Sequence, residues 1–126
     1  MHPNESLIRR LYQARANGDL DTVRAILDEA IVWHEPALYG GFAGDHSGTD
    51  AVVREVFERY DDYEGSALEL HDVLANDAHV VALVSWWVRR AGARVDGREI
   101  AVYHVHDARV TEAWFFPDAD YRDFFA

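Results

Sequence analysis

Glu35 closes the run Ile31-Val32-Trp33-His34-Glu35-Pro36, where β-branched and aromatic residues precede a proline. Such a run reads as a strand that the proline stops. Strand alternation puts Trp33 and Glu35 on one face and His34 on the other. A carboxylate in apolar surroundings loses hydration, so its pKa rises. It can then remove a proton next to a carbonyl and return it elsewhere. His104-Val105-His106 is a second grouping, with two rings on one face of a strand. With His34 they have the ligand type for zinc. No carboxylate stands at ligand spacing beside them and their face is expected to be the outer one, so no metal and no cofactor are expected. His2, His71 and His79 read as surface positions.

Other chemistries are absent. The chain has neither cysteine nor lysine, which removes thiolate nucleophiles, disulfides and the lysine-bearing phosphate loop. Gly40-Gly41-Phe42-Ala43-Gly44 lacks the strand-to-helix setting of a dinucleotide site and reads as a flexible pocket rim. There is no Gly-x-Ser-x-Gly elbow. Arg89-Arg90 are expected in solvent at a hairpin end.

The elements that must position Glu35 follow from periodicity. Asn4 or Ser6 can cap a first helix carrying Leu7, Ile8, Leu11, Tyr12 and Arg15 at helical spacing. Asn17-Gly18-Asp19 ends it, and Asp19 can cap a second helix with Leu20, Val23, Ile26 and Leu27. Residues 37–48 read as a loop with room for a short strand at Leu38–Phe42. Thr49 or Asp50 can cap a third helix carrying Val52, Val53, Val56, Phe57 and Tyr60. Beyond it the period becomes two, and four strands fit an antiparallel meander: roughly Ala67–Ala75, His79–Arg90, Arg98–His106 and Arg109–Phe116. Asp118-Ala119-Asp120 opens a short terminal helix. Helices followed by long strands make an α+β pattern, and a strongly curved sheet with helices on one face makes a cone.

The chain has 126 residues, about half of them apolar, and one domain spanning 1–126 is expected. Its net charge of −11 would repel phosphate backbones and anionic lipid, so neither nucleic acid nor membrane is an expected partner. The opening Met1-His2-Pro3-Asn4-Glu5 is not a signal peptide, and a cytoplasmic location is expected.

Several stretches resemble the nuclear transport factor 2-like superfamily, in its SnoaL-like and ketosteroid-isomerase-like branch. They are Ala16-Asn17-Gly18-Asp19-Leu20-Asp21, Trp33-His34-Glu35-Pro36, Ser47-Gly48-Thr49-Asp50-Ala51-Val52, and the strands from Val102 to Val110 and from Glu112 to Asp118. The resemblance implies a cone-shaped α+β fold and a homodimer through the outer sheet face. It implies no single reaction, because isomerases, aldol cyclases, epoxide hydrolases, dehydratases and non-enzymes share the fold. Counted from the Gly-Asp-Leu-Asp turn, Glu35 stands where the isomerases carry their catalytic base. The oxyanion donors of that enzyme fall on Leu11 and Ala101 here, and the acid/base pair of the cyclases on Ala101 and Phe115. His46 or Tyr103 are the candidates for a substitute relay.

The same resemblance, with strand phase, places Trp33, Val84, Trp86, Ala101 and Phe115 in the cone interior with Leu11. Glu99, Tyr103 and Val105 share the phase of Ala101. Aromatic walls suit a flat apolar ligand, but the same rings can fill the cone as core. Trp87, His104, His106, Glu112 and Trp114 fall in the opposite phase, where a second copy or the segment with Tyr121, Phe124 and Phe125 would cover them. Two functions therefore stand open: a cofactor-independent enzyme acting on a small apolar molecule, and a non-catalytic binding or assembly module.

Overall fold

Helix α1 (Pro3–Ala16) starts one residue after His2, whose ring Nδ1 accepts from the Asn4 amide at 3.0 Å. The cap is thus His2, with Pro3 in the first turn where a missing N–H costs nothing, and not Asn4 or Ser6. Gly18 takes the left-handed conformation, φ 65°, and Asp19 caps α2 (Leu20–Ile26) by accepting from Thr22. The computed structural model describes residues 1–126.

Strand β1 (Leu27–Glu35) begins four residues earlier than the apolar run suggests, because Leu27 leaves the helix with an extended backbone. A 3₁₀ stretch, Ala37–Phe42, takes the place of the short strand expected there. The strand lies later, as β2 (Gly44–Ser47). Helix α3 (Thr49–Val52) widens into a π turn, Val53–Phe57, and then tightens to 3₁₀ over Glu58–Asp62. Thr49 does not cap it: its hydroxyl donates to the carbonyl of Asp28.

Four long strands follow: β3 (Gly65–Ala75), β4 (His79–Arg90), β5 (Ala93–His106) and β6 (Arg109–Pro117). β5 starts earlier than expected because Ala91-Gly92 alone make the turn, both at positive φ, and Asp96-Gly97 lie inside the strand. The sheet order is β2-β1-β6-β5-β4-β3, antiparallel except for the parallel pair of β1 and β6. The molecule is α+β, with its N-terminal helices packed on a strongly curved, mostly antiparallel sheet.

Bulges curve that sheet and reset its phase. In β3 the register slips between Leu70 and Asp72, and the inward positions pass from Leu68 and Leu70 to Val73 and Ala75. A second slip separates His104 from Val105 opposite β6. β4 sends Val80, Ala82, Val84, Trp86 and Val88 inward against Ile8, Leu11 and Tyr12 of α1 and Val53, Val56 and Phe57.

The segment 118–126 is a turn, not a helix. It folds back over the cone mouth and not over the outer sheet face. The Gly41 amide donates to the Phe125 carbonyl at 2.7 Å, and Tyr121 N to Leu38 O at 2.9 Å. Arg90 also departs from its expected solvent position. Its guanidinium donates to the carbonyls of Phe124, at 2.6 Å, and Ala126, at 3.1 Å.

Candidate functional site

A cavity in the cone is bounded by β1, β4, β5 and β6 on one side and by α1, the 3₁₀ stretch and Phe125 on the other. Trp33, Glu35, Trp86 and Phe115 line it, as do Arg15, Tyr39, Tyr60 and Glu99. Its free volume is about 20 Å³, room for a water-sized sphere. The rings close it: Trp33 lies 4.7 Å from Phe115 and 5.2 Å from Phe57, and Trp86 lies 5.7 Å from Phe125.

Two carboxyls face this space. Glu35 arrives at the end of β1 because alternation from Trp33 aims both inward, and Trp33 Nε1 donates to its Oε1 at 2.8 Å. Glu99 arrives on β5 as the one charged residue in the inward series Gly97, Glu99, Ala101, Tyr103, Val105. It accepts from the Tyr39 hydroxyl at 2.7 Å, and Trp86 Nε1 donates to that hydroxyl at 3.2 Å. Both carboxyls retain some surface exposure, yet protein surrounds them closely enough to strip most of their hydration.

The consequence is a pair of perturbed acids. Burial, followed by the nearby charge of Glu99, pushes the Glu35 carboxyl up to about 8. The Trp33 hydrogen bond and the Arg15 charge oppose that rise. Burial also raises Glu99, against the pull of Tyr39 and Arg15. Burial and the Glu99 charge drive the Tyr39 phenol far above its ordinary value, so it serves as a neutral donor. A group near 8 can both take and release a proton close to neutrality.

The other candidates are distributed elsewhere. Tyr103 is fully buried behind the cavity, and its hydroxyl shares a 2.7 Å hydrogen bond with that of Tyr12. Burial raises its phenol well above the ordinary value. His46 is on β2, where Nδ1 meets Glu55 at 2.6 Å and Nε2 meets the Phe42 carbonyl at 2.8 Å; it borders a separate surface groove with Arg54 and Asp62. Leu11, Val84 and Ala101 are buried core neighbours that do not border the cavity.

The histidines on the outer face do not converge. His34 is held between Asp45 and Glu112, both at 2.7 Å, and stacks on Trp114. His104 meets Thr111 and the ring of His79. No group of three His, Asp or Glu side chains is placed to hold a metal ion.

Strand phase places Glu99 on the interior side without giving it a role, and the sequence does not single out Arg15, Tyr39 and Tyr60 as site residues. Two of these four carried a signal. Arg15 continues the apolar stripe of α1, and Glu99 interrupts an apolar strand phase. Tyr39 sits beside glycines without periodicity, so nothing local marks it.

A larger groove of about 540 Å³ opens outside, between the end of α1, Phe57–Asp61 and the start of β3. Arg15, Tyr60 and Leu68 line both spaces.

Comparison with known proteins accords with this architecture. Bal32a, from a soil-derived mobile gene cassette, superposes with a TM-score of 0.91 at 28% identity, over 98% of this chain and 97% of that one. An NTF2-like protein from Burkholderia pseudomallei K96243 superposes with a TM-score of 0.84 at 21% identity, over 94% and 92%. An LEH-like epoxide hydrolase of M. tuberculosis superposes with a TM-score of 0.77 at 21% identity, over 92% and 83%. At those last two identities the likeness is one of fold. No curated protein sequence matches the chain. No helix is long and apolar enough to cross a membrane. The family model described as the SnoaL-like domain matches residues 8–113, and the chain belongs to that family.

Proposed function

We propose that this chain is an enzyme performing cofactor-independent acid/base chemistry, of isomerase, cyclase or hydrolase type, on a small apolar molecule held in the cone. Glu35 is the proton-transferring group. The observation that carries the reading is a carboxyl raised to about 8 in an aromatic-lined cavity that a second carboxyl, Glu99, also faces. Because two nearby negative charges repel, one proton is retained by the pair over a wide pH range. One carboxyl then acts as acid while the other acts as base. Trp33, Trp86 and Phe115 form the walls, and the Tyr39 hydroxyl keeps Glu99 oriented.

The test is turnover by wild type and Glu35→Gln of compounds found by a binding screen of apolar ketones, epoxides and polycyclic aromatics. The variant is expected to lose at least about 100-fold in kcat/KM, the usual contribution of a positioned acid or base. Unchanged turnover would remove Glu35 from the mechanism.

A binding or assembly module without turnover is favoured by one observation, the small free volume left by the rings. Mass spectrometry of each ligand before and after incubation separates the two readings. A homodimer through the outer sheet face accompanies either one. Its support is the exposure of Phe116, at 55%, and Ile100, at 46%, on neighbouring strands of that face.

A further inference from the structure

Arg15 differs from the paired arginines of this molecule. Arg9, Arg24, Arg54, Arg94 and Arg122 each meet a carboxylate, and Arg90 holds two carbonyls. Arg15 has no ion pair and donates no side-chain hydrogen bond to the protein. Instead its guanidinium carbon lies among four rings: 4.3 Å from the centre of Phe57, 5.6 Å from Tyr12, 5.8 Å from Trp33 and 5.9 Å from Tyr60. The rings attract the cation through their faces, but they accept from none of its five N–H donors in the way an oxygen would. A planar donor fork of this kind matches the two oxygens of a carboxylate.

Position adds to chemistry. Arg15 stands where the outer groove meets the inner cavity, with Tyr60 and Leu68 beside it. Arg15 borders both spaces, whereas Glu35 and Glu99 border the inner cavity and not the groove. The rings that cage the cation also offer flat apolar surface to the body of such a molecule.

Resting on the reading of the cavity as a small-molecule site, we infer that its ligand is a flat apolar compound bearing an anionic oxygen, and that Arg15 binds that oxygen. The raised Glu35 carboxyl agrees with this, since at neutral pH it is mostly protonated and does not compete as an anion for the guanidinium. The net charge of −11 works against anions at long range. Salt screens that repulsion beyond roughly 8 Å, whereas a pair formed inside the aromatic shell is screened far less.

The experiment measures binding, not turnover. Calorimetry compares 2-naphthoate, ionised at neutral pH, with uncharged 2-naphthamide of the same shape. Wild type is expected to bind the acid at least about tenfold more tightly, the scale of a charge-assisted hydrogen bond. Arg15→Met should erase the preference while changing amide affinity by less than about twofold, and Arg15→Lys should restore part of it, keeping the charge but not the fork. Equal affinity for both probes, no binding of either, or an equal loss of both in Arg15→Met would overturn the inference. Melting of Arg15→Met provides the folding control. Glu35→Gln and product analysis separate this inference from the enzymatic reading: an anion preference with turnover indifferent to residue 35 removes Glu35 from the mechanism, one with no turnover at all sinks the enzyme, and both leave the anion site standing. Turnover dependent on Glu35 without an anion preference does the reverse.

Discussion

Trp33 and Glu35 are two residues apart on β1, and the indole N–H of the first donates to the carboxyl of the second at 2.8 Å. Period-two geometry makes them neighbours on one face, and Pro36 ends the strand so that Glu35 stands at its rim. The indole supplies the apolar wall that desolvates the carboxyl. It also supplies a hydrogen bond that favours the charged form, so one side chain pushes the pKa both ways. Burial wins, with help from the charge of Glu99, and the group rests at about 8.

Stability should depend on pH through this residue. Glu35 has an ordinary value of 4.5 and a folded value of about 8, so the folded state binds the extra proton between them. The stabilisation is fully present below 4.5 and is lost as pH rises toward 8, with a slope of at most about 1.4 kcal/mol per pH unit. Urea unfolding across this window should show Glu35→Gln with a clearly flatter profile than wild type. A residual slope of the same sign is expected from Glu99, which burial also raises. Identical profiles would mean that Glu35 titrates as a solvated carboxylate.

Coupling between the carboxyls can be read directly. The charge of Glu99 is the second largest cause of the rise at Glu35. Glu99→Gln should therefore bring the Glu35 pKa below about 8, as followed by the chemical shift of its carboxyl carbon. No change would show that the two groups do not sense one another.

Gly97 is opposite Trp86 in the β4–β5 ladder, and the indole lies over it. A Cβ at this position would fall 2.3 Å from Trp86 Cζ2 and 2.7 Å from the Tyr121 hydroxyl. Gly97→Ala should displace the cavity wall and cost about 1–3 kcal/mol, the usual range for overpacking. The near-ultraviolet circular dichroism of the tryptophans should change with it. An unchanged melt and spectrum would show that Trp86 moves freely.

Arg90 fastens the segment that closes the cone. Removing its bonds to Phe124 and Ala126 in Arg90→Met should cost about 1.5–3 kcal/mol, since donors to these carbonyls are charged. Amide exchange at Gly41 and Phe125 should accelerate while that of β4 and β5 stays slow. Uniform acceleration would indicate global loosening, not release of the segment.

Much of this molecule is legible in its sequence because the signals are local. The stripe of Leu7, Ile8, Leu11 and Tyr12, the Gly18-Asp19 boundary and the alternation from Val80 to Val88 each state an element and its buried face. Trp33 and Glu35 share a face for the same reason. Boundaries were harder to read where the backbone, not the side-chain pattern, decides. Leu27 is buried in either conformation, Ala37–Phe42 is apolar without a period, and Asp96-Gly97 reads as a turn although the ladder runs through it. Only the tertiary structure brought Arg15, Tyr39 and Glu99 to Glu35, from a helix, a 3₁₀ stretch and a distant strand. Their meeting depends on bulges that curve the sheet and on a segment whose closing bonds are accepted by backbone carbonyls. Neither leaves a periodic mark in the chain, so composition and spacing name the fold while long-range packing assembles the site.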